Sequence, residues 1–159
     1  MTGARATKHS WYGFSIHARS GVYPTNKWQG IAQLIGWHPA CETNKTIIID
    51  QEANGEIVVA GFADNENATN NYTIEGVNVF RHKLANSLPL NRWVDVVIYA
   101  RYSATGNGEF KIWWDGAPKN SPSYQISGIN LGDGCFDVND NHTYGVYPKF
   151  GIYAFDVGG

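Results

Sequence analysis

Apolar and polar residues alternate in short runs along most of this chain, and no sustained 3.6-residue period breaks the pattern. In "RWVDVVIYARYS", Val94, Val96, Ile98 and Ala100 fall on one face while Trp93, Asp95, Val97, Tyr99 and Arg101 fall on the other, the signature of a strand with one core face. Comparable runs open at Trp11, Trp28, Lys45, Glu56, Tyr72, Glu109 and Ser123, and a last one, "TYGVYPKFGIYAF", runs from Thr143 to Phe155. Asn54-Gly55 is the strongest hairpin signal, with further turns at Gly106-Asn107-Gly108 and Asp115-Gly116. The polar "ADNENATNNY" from Ala63 reads as one long loop. About nine strands in one domain call for two packed antiparallel sheets, because one open sheet of that size would leave too much apolar face in water.

Composition strengthens this picture. Six Trp, nine Tyr, seven Phe and 18 Gly against a single Met suit an all-β chain with many turns. A length of 159 residues suits one domain spanning 1–159. With a formal net charge of −2 there is no global field for nucleic acid or an anionic membrane, so an acidic ligand would need local cations. No stretch is long and apolar enough for a membrane span, and "MTGARATKHS" lacks the apolar segment of a signal peptide. Cys41 and Cys135 form no C-x-x-C pair, and whether the two sulfurs meet stays open. Four N-x-[ST] sites, at Asn44, Asn67, Asn71 and Asn141, fit surface loops of a secreted protein, although so Asn-rich a chain produces some by chance.

In the last strand run, Tyr147, Lys149, Gly151 and Tyr153 occupy alternate positions and share a face, while Pro148, Phe150 and Ile152 line the other. This "YPKFGIY" resembles the C-terminal motif of the jelly-roll polysaccharide lyases, the group that includes alginate lyases, glucuronan lyases and heparin lyase I. "WYGFSI", the following "YPT" and the later "WHP" are similar to that family's segment ending in a Gln-x-His motif, with His38 matching the histidine. Gly36 stands where the family has glutamine, so Gln33 is the nearest candidate, able to share the face only if the strand carries a bulge that Gly30 and Gly36 would permit. The family's early arginine-rich strand is missing apart from Arg5. The chain therefore reads as the core of such a domain, with truncation at both ends as one reading.

The resemblance implies a concanavalin-like β-jelly roll that cleaves a 4-linked uronic-acid polymer by β-elimination. Such a reaction needs a base for the C5 proton, an acid for the leaving O4, and a group that quiets the carboxylate as the enolate develops. An unperturbed imidazole titrates near about 6.5 and accepts a proton at neutral pH; a phenol, near about 10, is a natural acid. The expected catalytic residues are Tyr153 as acid and also a candidate base, His38 as base or its partner, and Lys149 as the cation at the carboxylate or beside the tyrosine. Tyr147, Gln33 and Arg101 are candidate substrate contacts. Gly151 would let a sugar ring approach the backbone. His9, His17, His82 and His142 carry no motif, and Arg81 and Tyr99 have a solvated sheet face as their default reading.

No cofactor is required by this chemistry, although "DGCFDVNDN" gathers Asp133, Asp137, Asn139 and Asp140 and raises the question of a structural calcium. The resemblance further implies an extracellular, monomeric protein acting on an acidic polysaccharide, without nucleic-acid or membrane partners. Two other functions compete. Asp50 and Glu52 alternate on one strand and could serve a glycoside hydrolase; Trp28, Trp37, Trp113 and Trp114 could stack on sugars in a non-catalytic carbohydrate-binding module.

Overall fold

A computed structural model of the protein describes residues 9–21, 26–38, 41–63, 77–131 and 146–153; of these, 36–38, 41–45, 63, 77–78, 104–105, 146–147 and 152–153 are described by their backbone alone. Among the described residues nine strands follow one another: β1 (His9–His17), β2 (Gln29–His38), β3 (Cys41–Gln51), β4 (Ile57–Ala63), β5 (Val77–Ala85), β6 (Trp93–Arg101), β7 (Ser103–Trp114), β8 (Tyr124–Leu131) and β9 (Val146–Tyr153). They form a four-stranded sheet in the order β1-β6-β7-β8 and a five-stranded sheet in the order β5-β4-β3-β2-β9, with every neighbour antiparallel. Among the described residues no helix is long and apolar enough to cross a membrane.

The core is the layer between the sheets. Along β6 the alternation is carried into burial, Val94, Val96, Ile98 and Ala100 being inaccessible while Trp93, Asp95 and Val97 are exposed. Phe110 and Ile112 of β7 join them and meet Ile47, Ile49, Ile57 and Val59 from the facing sheet. Phe80 on β5 reaches Phe110, their ring centroids 4.8 Å apart. Full burial of a ring such as that of Phe110 contributes about 1.5–3 kcal/mol relative to exposure. Phe80 also lies across its register partner Gly61, where a Cβ would run into the ring, so the glycine is required by the packing of its neighbour.

The turns form where turn residues permit. Gly55 takes φ 90° between β3 and β4, its N–H donating to the Glu52 carbonyl (2.9 Å) while the Asn54 side chain accepts from the Glu56 N–H (3.0 Å). Asp115 at φ 54° and Gly116 at φ 80° turn the chain out of β7. Gly106, at φ 79°, lies in the connection closed by the Arg101–Glu109 pair, although β7 begins earlier, at Ser103, by pairing with β8. The polar run 64–76 and the acidic run 132–145 lie outside the described residues, so the loop and calcium expectations fall there. The pairing of Cys41 with Cys135 likewise lies outside what is described.

Candidate functional site

Among the described residues, strand β9 forms an edge of the five-stranded sheet and pairs with β2 alone. Proline without an N–H is tolerated at such an edge, which accounts for Pro148 inside the strand. Phe150 leans toward the other sheet and meets Phe14 of β1, ring centroids 4.7 Å apart. That contact fixes the orientation of β9. Pro148 and Phe150 belong to the side facing the second sheet, and Tyr147, Lys149 and Tyr153 to positions on the outer face.

Register then sets the rows of that outer face. Lys149 stands opposite Gln33, Gln33 opposite Ile48, Ile48 opposite Ala60 and Ala60 opposite Arg81, one row across all five strands. A second row runs Tyr153, Gly30, Asp50, Val58, Lys83. Its third member is a carboxylate 6% exposed, two strands from Tyr153 and about 9.6 Å away at the usual strand spacing. Between them Gly30 contributes no side chain.

Irregular pairing creates these rows. From Gly30 to Ala32 β2 takes two steps where β3 takes one, from Asp50 to Ile49, so Ile31 and Ala32 both turn to the core and Gly30 and Gln33 share the outer face. This bulge puts Gln33 on the face of Gly30; lying before Gln33, it does not bring Gln33 onto the face of His38, the alignment for which the sequence called for a bulge. A further slip, between Leu34–Ile47 and Ile35–Lys45, leaves Thr46 fully buried with its hydroxyl donating to the Leu34 carbonyl at 2.8 Å. Gly151 adopts φ 148°, a backbone that side chains with a Cβ rarely accept, so it has a conformational reason beside the proposed access for a sugar.

The floor of the face is buried, with Gln33 at 7%, Ile48 at 3% and Val58 at 5%, although the second sheet lies on the opposite side. Cations stand toward its β5 margin. Arg81 is ion-paired with Glu52, and Lys83 with Glu56 at 2.9 Å. The Lys83 hydrogen bond, with a smaller contribution from Asn54, holds the Glu56 carboxyl below its ordinary pKa.

Two expected site residues do not join this group. His38 pairs with Cys41 at the opposite end of β2, eight residues from Gly30 and hence about 25 Å along the strand from the Tyr153 row. The register thus sets the backbone of His38 apart from the Tyr153 row. Arg101 lies on β6, in the other sheet, with its guanidinium 3.9 Å from Glu109. It is a whole sandwich away from Lys149. Asp50, weighed from the sequence only as half of a hydrolase pair, stands on the same row as Tyr153. The signal available was the adjacency of "QG" and "IIIDQE" on neighbouring strands, but their register depended on the bulge at Ile31. Among the described residues no group of three or more His, Cys, Asp or Glu is arranged to hold a metal ion.

The family model described as polysaccharide lyase matches residues 1–158 of the chain. The chain belongs to this polysaccharide lyase family. No curated protein matches it. Among solved structures, this polysaccharide lyase family member is similar to an endo-β-1,4-glucuronan lyase from the fungus Trichoderma reesei, with a TM-score of 0.63 at 19% identity, over 97% of the present chain and 60% of the fungal one. The likeness is one of fold, and the chain spans about 60% of the length of that lyase.

Proposed function

We propose that the protein cleaves a 4-linked uronic-acid polysaccharide by β-elimination on the outer face of the five-stranded sheet. The observation that carries this reading is the row Tyr153–Gly30–Asp50, in which a phenol position and a carboxylate flank a residue without a side chain, in a chain of the polysaccharide lyase family. A pyranose ring over Gly30 would have a hydroxyl-bearing residue on one side and an acidic one on the other.

In this reading the base takes the C5 proton, the electron pair left on C5 forms the C4–C5 double bond, and the C4–O4 bond breaks as the leaving oxygen is protonated. Tyr153 supplies the proton to O4 and is also a candidate for receiving the C5 proton. Asp50, on the same row, takes the place of His38 as the alternative base. Lys149 and Gln33, paired on the adjacent row, would hold the carboxylate of a neighbouring uronate through a charge-assisted bond and an amide. Tyr147, opposite Ile35, continues the same face as a wall for the polymer. Elimination leaves a saturated and an unsaturated end, and no cofactor enters the balance. We further assign the activity to an extracellular, monomeric protein.

Incubation with glucuronan, alginate and heparin, followed by the ultraviolet absorbance of the conjugated unsaturated uronate, tests the proposal. A rise with one polymer that is lost in Tyr153→Phe supports it; a Phe variant with full activity would sink the assignment of Tyr153. Saturated new ends without absorbance would indicate hydrolysis, the reaction an Asp50–Glu52 pair would serve; Glu52, however, is already taken up by Arg81.

A further inference from the structure

The second sheet carries an organised surface that the lyase reaction does not use. Core-facing residues of β1 and β6 alternate with outward ones, and the outward set forms five rows by register: His17–Trp93; Ser15–Asp95; Gly13–Val97–Trp113; Trp11–Tyr99–Lys111–Gln125; and His9–Arg101–Glu109–Ser127. Trp11 and Trp93 are each 64% exposed. Leaving a tryptophan so far in water forgoes most of what its burial would contribute.

The rings are ordered against one another. Trp11 stacks on Trp113 with centroids 5.7 Å apart and planes inclined by 25°, and it also meets Tyr99 at 5.0 Å. Trp113 is pinned by its indole N–H, which donates to the Lys119 carbonyl at 3.0 Å. The His9 ring nitrogen and the Tyr99 hydroxyl are 2.6 Å apart. Gly13 keeps the flank open, since a Cβ there would meet nothing within 4 Å. About 20 Å along the strands a second aromatic pair, His17 and Trp93, repeats the arrangement with centroids 5.0 Å apart.

Polar groups border the larger ring cluster. Lys111 lies 5.4 Å from the centre of the Tyr99 ring and 2.7 Å from Glu109, which Arg101 also approaches at 3.9 Å. Two cations therefore share one carboxylate at this end of the face, a local excess of positive charge. Asp95 sits toward the other end, held by the Ser15 hydroxyl at 2.6 Å.

We propose that this face is a second, non-catalytic binding surface for an acidic polysaccharide. Pyranose rings would stack on Trp11 and Trp113, with carboxylates directed to Lys111 and Arg101, and a chain running along the strands would reach Trp93. The ligand class rests on the proposed function, in which the substrate is a polyuronate. Pinned, stacked rings lose little freedom on binding a planar sugar face, and the cationic border selects an anionic chain over a neutral one. Because this sheet and the Tyr153 face point away from each other, one polymer strand can anchor the protein while another is cut, which raises the effective substrate concentration without new contacts in the groove.

Affinity electrophoresis in gels containing glucuronan, or hydroxyethylcellulose as a neutral polymer, tests the surface in a Tyr153→Phe/Lys149→Ala background that cannot cut the gel. The expected result is retardation by glucuronan alone, weakened roughly tenfold or more by Trp11→Ala/Trp113→Ala, the scale for losing anchoring aromatics. The Trp11→Phe/Trp113→Phe variant should retain much of it, separating stacking from folding. In the otherwise unaltered protein, the alanine pair should leave turnover of short soluble oligomers unchanged. Retardation abolished by the groove substitutions alone would overturn the second surface while leaving the lyase reading intact. No retardation by any polymer would overturn it too, and the ultraviolet assay decides the lyase reading separately. Loss of a dimer in sedimentation on Trp substitution, with retardation unchanged, would reassign the face to self-association.

Discussion

Asp50 and Tyr153 flank the same glycine, Gly30, from opposite sides of β2. On the proposed mechanism the carboxylate and the phenol divide the proton transfers between them. Asp50→Asn, which keeps the shape of a buried side chain while removing its basicity, should lower turnover by roughly 10²–10⁴-fold, the usual contribution of a positioned acid or base. The ultraviolet assay measures this, and a melting curve verifies that the fold survives. Full activity in the Asn variant would leave Tyr153 as the one acid and base.

His38 gives the opposite expectation. Its place at the far end of β2 puts it several sugar units from the proposed scissile bond, so His38→Ala should reduce kcat by less than about tenfold, below the range of a general base. A loss as deep as that of Tyr153→Phe would contradict the register of β2 with β9.

Lys149 and Gln33 are proposed to bind a uronate beside the bond that breaks. Lys149→Met should raise KM more than it lowers kcat, because contacts made equally in the ground and transition states act on binding. Steady-state kinetics on glucuronan separate the two constants. Lys149→Arg should recover much of the binding.

Packing in the five-stranded sheet is tested at Gly61. A methyl group there collides with the Phe80 ring, and Gly61→Ala should cost about 1–3 kcal/mol, the range for overpacking a well-filled site. Thermal or denaturant unfolding measures the loss. Phe80→Leu, destabilising alone, should offset part of it in the double variant.

Acid should remove the contribution of Asp115. Its carboxyl accepts two bonds from Arg92, at 2.7 and 2.6 Å, and these hydrogen bonds depress its pKa below the ordinary 3.8. A depressed carboxyl stabilises the fold above its unfolded pKa and loses that effect as pH falls through the folded value. Asp115→Asn tolerates the φ of 54° and should lower Tm slightly near neutrality, with the difference closing at pH values well below 3.8. A difference independent of pH would deny the ion pair any role.

Much of the fold was legible because its signals are local. Asn54-Gly55 supplies the positive φ for its own hairpin, and the alternation in "RWVDVVIYARYS" is its burial pattern. The face of β9 was equally readable, from Tyr147, Lys149 and Tyr153 in turn. What escaped depended on pairing between distant segments. The bulge at Ile31 decides that Gln33 shares the face of Gly30, and nothing within β2 alone specifies it. Adjacent tryptophans illustrate the same limit: Trp113 is on the outer surface while Trp114 is 7% exposed in the core, so of these two sugar-stacking candidates only the first is available. Trp11 went unread because a surface ladder belongs to β1, β6 and β7 together. Arg101 falls on the other sheet from Lys149, a separation no single strand announces, because residues on two sheets look alike until the sheets are sorted.

The pairing of β9 with β2 also has a consequence for biogenesis. Gly30 meets Tyr153 across more than a hundred intervening residues, a contact of very high sequence separation that is slow to form. During synthesis the first eight strands can associate while the ribosome is still adding the segment that carries Lys149 and Tyr153. On the proposed mechanism, a nascent chain would stay catalytically silent until β9 has emerged and docked.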